Sequence, residues 1–128
     1  MRSLVVLLLL TLGACCCGVV GPDPEYRDVV RYNGIYYLLS RDEPLQPQDG
    51  GQLLGPERTR VLRRVESCPG VELTDPGIHD PCDLRDGDSN RLPAQTPLHD
   101  VPGFAPGQAL GTTHDGRYLL FAAYFPPD

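Results

Sequence analysis

The chain contains no lysine: its positive charge comes from eleven arginines, set against seventeen acids for a formal charge of −6. An all-arginine basic set reads as the codon bias of a GC-rich genome before it reads as a recognition device. No basic stripe is present to neutralise a phosphate backbone, which excludes nucleic acid as a partner. Also missing are Gly-x-Ser-x-Gly, His-Glu-x-x-His and a glycine-rich phosphate loop, so the common hydrolase and nucleotide-binding patterns have no foothold. No apolar run approaches the roughly 20 residues that a membrane-spanning helix requires. From Cys68 to Pro106 no long stretch is free of proline, with Pro69, Pro76, Pro81, Pro93, Pro97, Pro102 and Pro106. That spacing excludes long helices and central strands there and leaves loops and short edge strands.

What is present begins with the N-terminus. Arg2 precedes an uncharged apolar block, Leu4 to Leu12, and small residues follow. A short apolar run with a positive start and small residues at its end has the form of an export signal. Leu12-Gly13-Ala14-Cys15 resembles the lipobox of bacterial lipoproteins. That resemblance implies a diacylglycerol on the Cys15 thiol, loss of residues 1–14 as a signal peptide, and a new N-terminus at Cys15. Cys16 and Cys17 fit the pattern less well, because Gly13 or Ala14 would then occupy the place of the branched residue. The chemistry implies a membrane partner through acyl chains, since two chains anchor firmly where one is marginal. The alternative is an ordinary secretory signal; either exports the chain. Residues 15–28, with Gly21, Pro22 and Pro24, read as a lipidated cysteine and short tether, and residues 29–128 as one small domain. Loss of Arg2 takes the formal charge from −6 to −7.

Two cysteines, Cys68 and Cys82, lie inside the domain. Outside the cytoplasm such a pair predicts a disulfide. Closing a loop of about 15 residues contributes roughly 3 kcal/mol on the chain-entropy model. The other reading pairs Cys82 with His79 as metal ligands, but a zinc site needs a second such pair.

Two hairpins carry the fold. Asn33-Gly34 between apolar runs predicts a two-residue turn, with Tyr32 opposite Ile35, Arg31 opposite Tyr36, Val30 opposite Tyr37 and Val29 opposite Leu38. Both faces are largely apolar, which predicts a central position. Asp115-Gly116 repeats the logic, placing Leu110 opposite Phe121, Thr112 opposite Leu119 and Thr113 opposite Tyr118. Ser40 to Gly51 reads as a polar loop. Thr59 to Glu66 suits either period, and its length favours a strand. Leu98 to Val101 is the expected short strand of the proline-rich part. The fold class is therefore all-β: a small sandwich or partly open barrel of two hairpins, short edge strands and one disulfide.

The turn residues support a second resemblance. Asn33-Gly34, Leu54-Gly55-Pro56, Asp86-Gly87-Asp88, Leu92-Pro93-Ala94-Gln95-Thr96-Pro97-Leu98, Val101, Gly103-Phe104-Ala105-Pro106 and Asp115-Gly116-Arg117 are similar to a family of small uncharacterised envelope β-domains of Gram-positive bacteria. Gln95 stands where that pattern has a turn glycine, and His99 where it has tyrosine. The resemblance implies a β fold and no activity.

Candidate chemistry is sparse. Asp86, Asp88 and Asn90 alternate like the start of a calcium loop, yet Arg91 and Pro97 occupy the positions of its glycine and closing acid. A solvated turn is the expectation. Arg58, Arg60, Arg63 and Arg64 form the one basic cluster and read as a solvated face pairing with acids. His79, His99 and His114 each neighbour an aspartate, with His79 and His114 in expected turns. His99 is the one placed to interrupt a half-buried strand, where a structural role is expected. The reading is a lipid-anchored extracytoplasmic protein with a non-enzymatic binding or structural role, no cofactor, and an envelope protein or cell-wall partner. Two alternatives are a protease inhibitor presenting the Cys68–Cys82 loop and a small hydrolase using His99 or His79.

Overall fold

The structure, a computed structural model, describes residues 25–45, 53–74 and 77–126. The described residues form eleven strands and no helix: β1 (Tyr26–Arg27), β2 (Val29–Tyr32), β3 (Ile35–Pro44), β4 (Glu57–Arg60), β5 (Arg63–Arg64), β6 (Val71–Thr74), β7 (Gly77–His79), β8 (Asp88–Ser89), β9 (Pro97–His99), β10 (Ala109–His114) and β11 (Arg117–Tyr124). The chain is all-β, as its patterning predicts. Both hairpins form in the predicted register. Their turns depend on positive φ, 54° at Asn33 and 78° at Gly34, 51° at Asp115 and 73° at Gly116.

Eight strands form one sheet in the order β4-β9-β10-β11-β3-β2-β8-β5. The strands at its two ends, β4 and β5, are separated in sequence only by Val61 and Leu62. The sheet must therefore curl until its ends nearly meet, giving a partly open barrel. Hydrogen bonds at the seam show the handover. Gln95 N–H donates to the Val61 carbonyl at 2.7 Å and Val61 N–H to Thr96, while Leu62 and Val65 N–H donate to Gly87 and Ser89. Within Thr59 to Glu66 the chain forms two short strand segments serving opposite edges, β4 ending at Arg60 and β5 at Arg64, and Glu66 enters a turn.

The barrel interior is filled by Val30, Tyr37, Val61, Leu92, Leu98, Leu110, Leu119 and Phe121, each at most 1% exposed. Alternation sends the other faces outward, and two covers protect them. On one side the three-stranded sheet β1-β6-β7 packs Val71 and Ile78 against Val29, Leu38 and Leu84. On the other, Leu53 and Leu54 cover Val101, Ala109, Tyr118 and Leu120. Gly111 lets this second cover close, since a Cβ there would meet Leu54 Cδ2 and Val101 Cγ2 at 2.9 Å each. The β2–β3 hairpin is central and covered on both faces, as its two apolar faces predict.

Several boundaries differ from the sequence expectations. β3 does not stop at Leu39 but runs to Pro44, because β11 is long enough to pair Leu120 with Arg41, Tyr118 with Glu43 and Arg117 with Pro44. The rest of the expected polar loop, from 46 to 51, lies outside the described residues. Strand pairing also starts within the expected tether, where Tyr26 and Arg27 pair with Glu72 and Val71. The short strand expected at Leu98 to Val101 is Pro97–His99, and it lies between β4 and β10, not at an edge. Proline is accommodated because Pro97 is the strand's first residue, where no ladder donor is lost. Its carbonyl accepts the Thr112 hydroxyl at 2.7 Å.

Candidate functional site

Cys15, Cys16 and Cys17 lie outside the described residues. The predicted disulfide joins Cys68 and Cys82, whose Cα atoms are 5.7 Å apart. It closes the base of the β6–β7 hairpin and packs into the cluster beneath the three-stranded sheet. In the described part of the enclosed segment, β6 and β7 form a hairpin paired to β1, with Val71 fully buried. Asp80 completes the closure, its carboxylate accepting from the Cys82 and Leu84 N–H groups and the Tyr36 hydroxyl at 2.8–2.9 Å.

The Asp86 to Asn90 segment corrects in part the expectation of a solvated turn: Asp86 and Gly87 form a turn with Asp86 exposed, but the strand that follows is buried. Asp88 is 3% exposed and Ser89 fully buried, because this segment runs between β2 and β5. Its oxygens are consumed by the fold. Asp88 accepts a bidentate pair from Arg63 at 3.1 and 2.8 Å and a bond from Arg85 N–H. Burial would raise the Asp88 pKa, but these donors outweigh it and hold the carboxyl below the ordinary aspartate value. Asp86 accepts from Gly34 N–H, and Asn90 Oδ1 from Val29 N–H. Among the described residues no cluster of three His, Cys, Asp or Glu side chains could hold a metal.

Three of the four clustered arginines are spent similarly. Arg60 is bidentate to Glu57 and Arg58 to Asp100, alongside the Arg63–Asp88 pair. The histidines are separate from one another. His79 is exposed on strand β7, not in a turn. His114 Nε2 is 3.3 Å from Asp115. His99 Nδ1 lies 2.9 Å from the Gly55 carbonyl, a backbone partner that orients the ring. A second ion network escaped sequence reasoning: Asp42 receives Arg117 and Arg91, and Arg91 also reaches Asp28 at 3.0 Å. Hydrogen bonds from Arg117 and then Arg91 hold the Asp42 carboxyl below its ordinary value. These partners are 49 and 75 residues from Asp42, so no local spacing announces them.

One end of the barrel gathers the remaining candidate side chains. The last residues of β2, β9 and β11 and the first residues of β3, β4 and β10 lie at that end. Tyr32 and Ile35 sit there, only partly buried against the interior cluster. Alternation along β9 puts Asp100 on the side of Leu98, and Arg58 meets it with two bonds of 2.8 Å. Arg58 lies within electrostatic reach of both Tyr32 and Tyr37. The Tyr37 ring is buried, yet its hydroxyl donates to Gly107 in the loop between β9 and β10 at 3.2 Å. The same end carries two exposed aromatics, Phe104 in that loop at 43% and Phe125 just past β11 at 60%.

The electrostatics of this end are balanced. Arg58's hydrogen bonds lower the Asp100 pKa, and Asp100 in turn raises that of Arg58. Burial, then Tyr32, raises the Tyr37 pKa, so its hydroxyl stays protonated. The arrangement offers aromatic surface, paired donors and acceptors, and no net charge. It contains no activated nucleophile. Compared with family models, curated proteins and solved structures, the chain matches none.

Proposed function

We propose that the chain is an extracytoplasmic lipoprotein, anchored to the membrane through Cys15, whose barrel has a non-enzymatic binding role in the cell envelope. The observation that carries the anchor is Leu12-Gly13-Ala14-Cys15 after an uncharged apolar block, with only ten residues from Cys15 to Glu25. Such a stretch reaches about 35 Å at most, so the barrel is held close to the membrane. The disulfide supports export, since such bonds persist in oxidising compartments. A binding role is favoured by the exposed aromatics Phe104 and Phe125 and the accessible Arg58–Asp100 pair, since aromatic surface with a few polar groups is the composition of many ligand sites. Catalysis has less support: a base needs a nucleophile within hydrogen-bond reach, and His99 instead meets a backbone carbonyl. The inhibitor alternative has less support, since the described part of the segment between the cysteines is a paired hairpin.

The test is intact-protein mass spectrometry of the membrane fraction, comparing the native chain with Cys15→Ala. A diacylated mass beginning at Cys15, lost with membrane retention in the variant, is the expected result. An unmodified mass, or full retention of Cys15→Ala, overturns the anchor.

A further inference from the structure

We propose that Asn33-Gly34 is a site of spontaneous covalent modification, deamidation through a cyclic imide, and that Asp86 is the latch that restrains it. The inference stands apart from the anchor and from any binding role. In the reaction the Gly34 backbone nitrogen gives up its proton and bonds to Cγ of Asn33. The Cγ–Nδ2 bond breaks, and that nitrogen leaves as ammonia. Water, the one co-reactant, then opens the ring at either of its carbonyls and leaves aspartate or isoaspartate at position 33. A glycine after the asparagine favours ring closure, because no Cβ hinders its nitrogen and its backbone turns freely.

The geometry of the turn carries both halves of the proposal. Asn33 and Gly34 are exposed, and nothing lies within 4 Å of a Cβ placed at Gly34, so water reaches the site. The attacking nitrogen is already engaged, since Gly34 N–H donates to Asp86 Oδ1 at 2.9 Å. Ring closure needs that nitrogen to swing toward the Asn33 side chain, which breaks the bond to Asp86. The carboxylate also disfavours a deprotonated, negative nitrogen beside it. Arg31 fixes the latch in place: its carbonyl accepts from Gly87 N–H at 2.6 Å, its Nη1 donates to the Leu84 carbonyl at 2.7 Å, and its Nε lies 3.7 Å from Asp86. The two products act differently on the fold. Asp115-Gly116 makes the same turn, with φ of 51° and 73° against 54° and 78°, so aspartate fits at position 33. Isoaspartate adds a carbon to the backbone, and the two-residue turn then no longer sets the register that pairs Val30 with Tyr37 in the core.

The experiment incubates the purified full chain and Asp86→Ala at neutral pH, each folded and in urea, and follows residue 33 by peptide mass mapping that separates aspartate from isoaspartate. The Asp86 side chain is 56% exposed, so its removal leaves the fold intact, which a urea midpoint verifies. Folded native chain is expected to convert slowest. Folded Asp86→Ala is expected to convert about tenfold faster, the shift in local opening that one hydrogen bond to a charged acceptor supports. In urea both chains are expected to convert fastest and at one rate, because the latch exists only in the fold. Asn90, the chain's other asparagine, is the internal control: it precedes Arg91, and its side chain is bonded to Val29 N–H and Asp28. Three results overturn the proposal: native Asn33 converting as fast folded as in urea, Asp86→Ala converting no faster than the native chain, or Asn90 keeping pace with Asn33 in folded Asp86→Ala, which would assign the gain to global unfolding.

Discussion

At the scale of single residues, this molecule depends on glycines and aspartates more than on bulky groups. Gly70 has φ of 117°, and a Cβ there would lie 2.3 Å from the Arg27 carbonyl oxygen. Neither the backbone conformation nor its neighbour can yield cheaply. Gly70→Ala is expected to cost at least about 2–3 kcal/mol, read as a lowered denaturation midpoint with an unchanged slope. The aspartates define the acid limit. Hydrogen bonds depress the Asp42 and Asp100 carboxyls in the folded state, and Arg63 outweighs burial at Asp88. A carboxyl with a depressed folded pKa stabilises the fold fully above its unfolded value of about 4, and that stability is lost as pH falls through the folded pKa. Stability should therefore be flat from neutral pH to about 5 and fall below about 4. Asp88→Asn, which removes one such carboxyl, should be less stable at pH 7 and show a shallower acid loss, measured by urea unfolding across that range. Such partners were invisible beforehand: Asp88 looked like one more turn acid until Arg63 was placed above it, 25 residues away in sequence.

At the scale of elements, the legible parts were those whose partners are local. Asn33-Gly34 and Asp115-Gly116 fix their hairpins because a two-residue turn leaves one register, and the apolar alternation then assigns faces. The three-stranded sheet was not legible, because β1 consists of two residues, Tyr26 and Arg27, with no pattern of their own. It exists because Cys68–Cys82 closes the base of β6–β7 and Val71 is buried beneath it. This predicts a localised effect. Cys68→Ser with Cys82→Ser should cost roughly 3 kcal/mol. Hydrogen exchange should rise first in β1, β6 and β7, while β10 and β11 stay protected. Uniform loss of protection would show instead that the two sheets open together.

For the whole molecule, the decisive feature is the seam. The sequence of Thr59 to Glu66 allowed a strand, but nothing local could show that its halves serve opposite edges of one sheet. The approach of Arg58 and Asp100 was similarly hidden, since 42 residues separate them and only strand pairing brings them together. Leu92 is fully buried in the barrel interior. Leu92→Ala should cost about 2–5 kcal/mol in global stability, read as a lowered urea midpoint.

The seam also bears on how the protein stays apart from its own copies. An exposed sheet edge is a template on which another chain can add a strand, and short, charged edges resist this. Here the edge strands are four and two residues long and carry Arg58, Arg60, Arg63 and Arg64. Edges so short and so charged are of the kind that resist sheet-to-sheet joining. Replacing Arg60 and Arg64 with valine should leave the monomer folded and make concentrated solutions aggregate, a change that light scattering would detect.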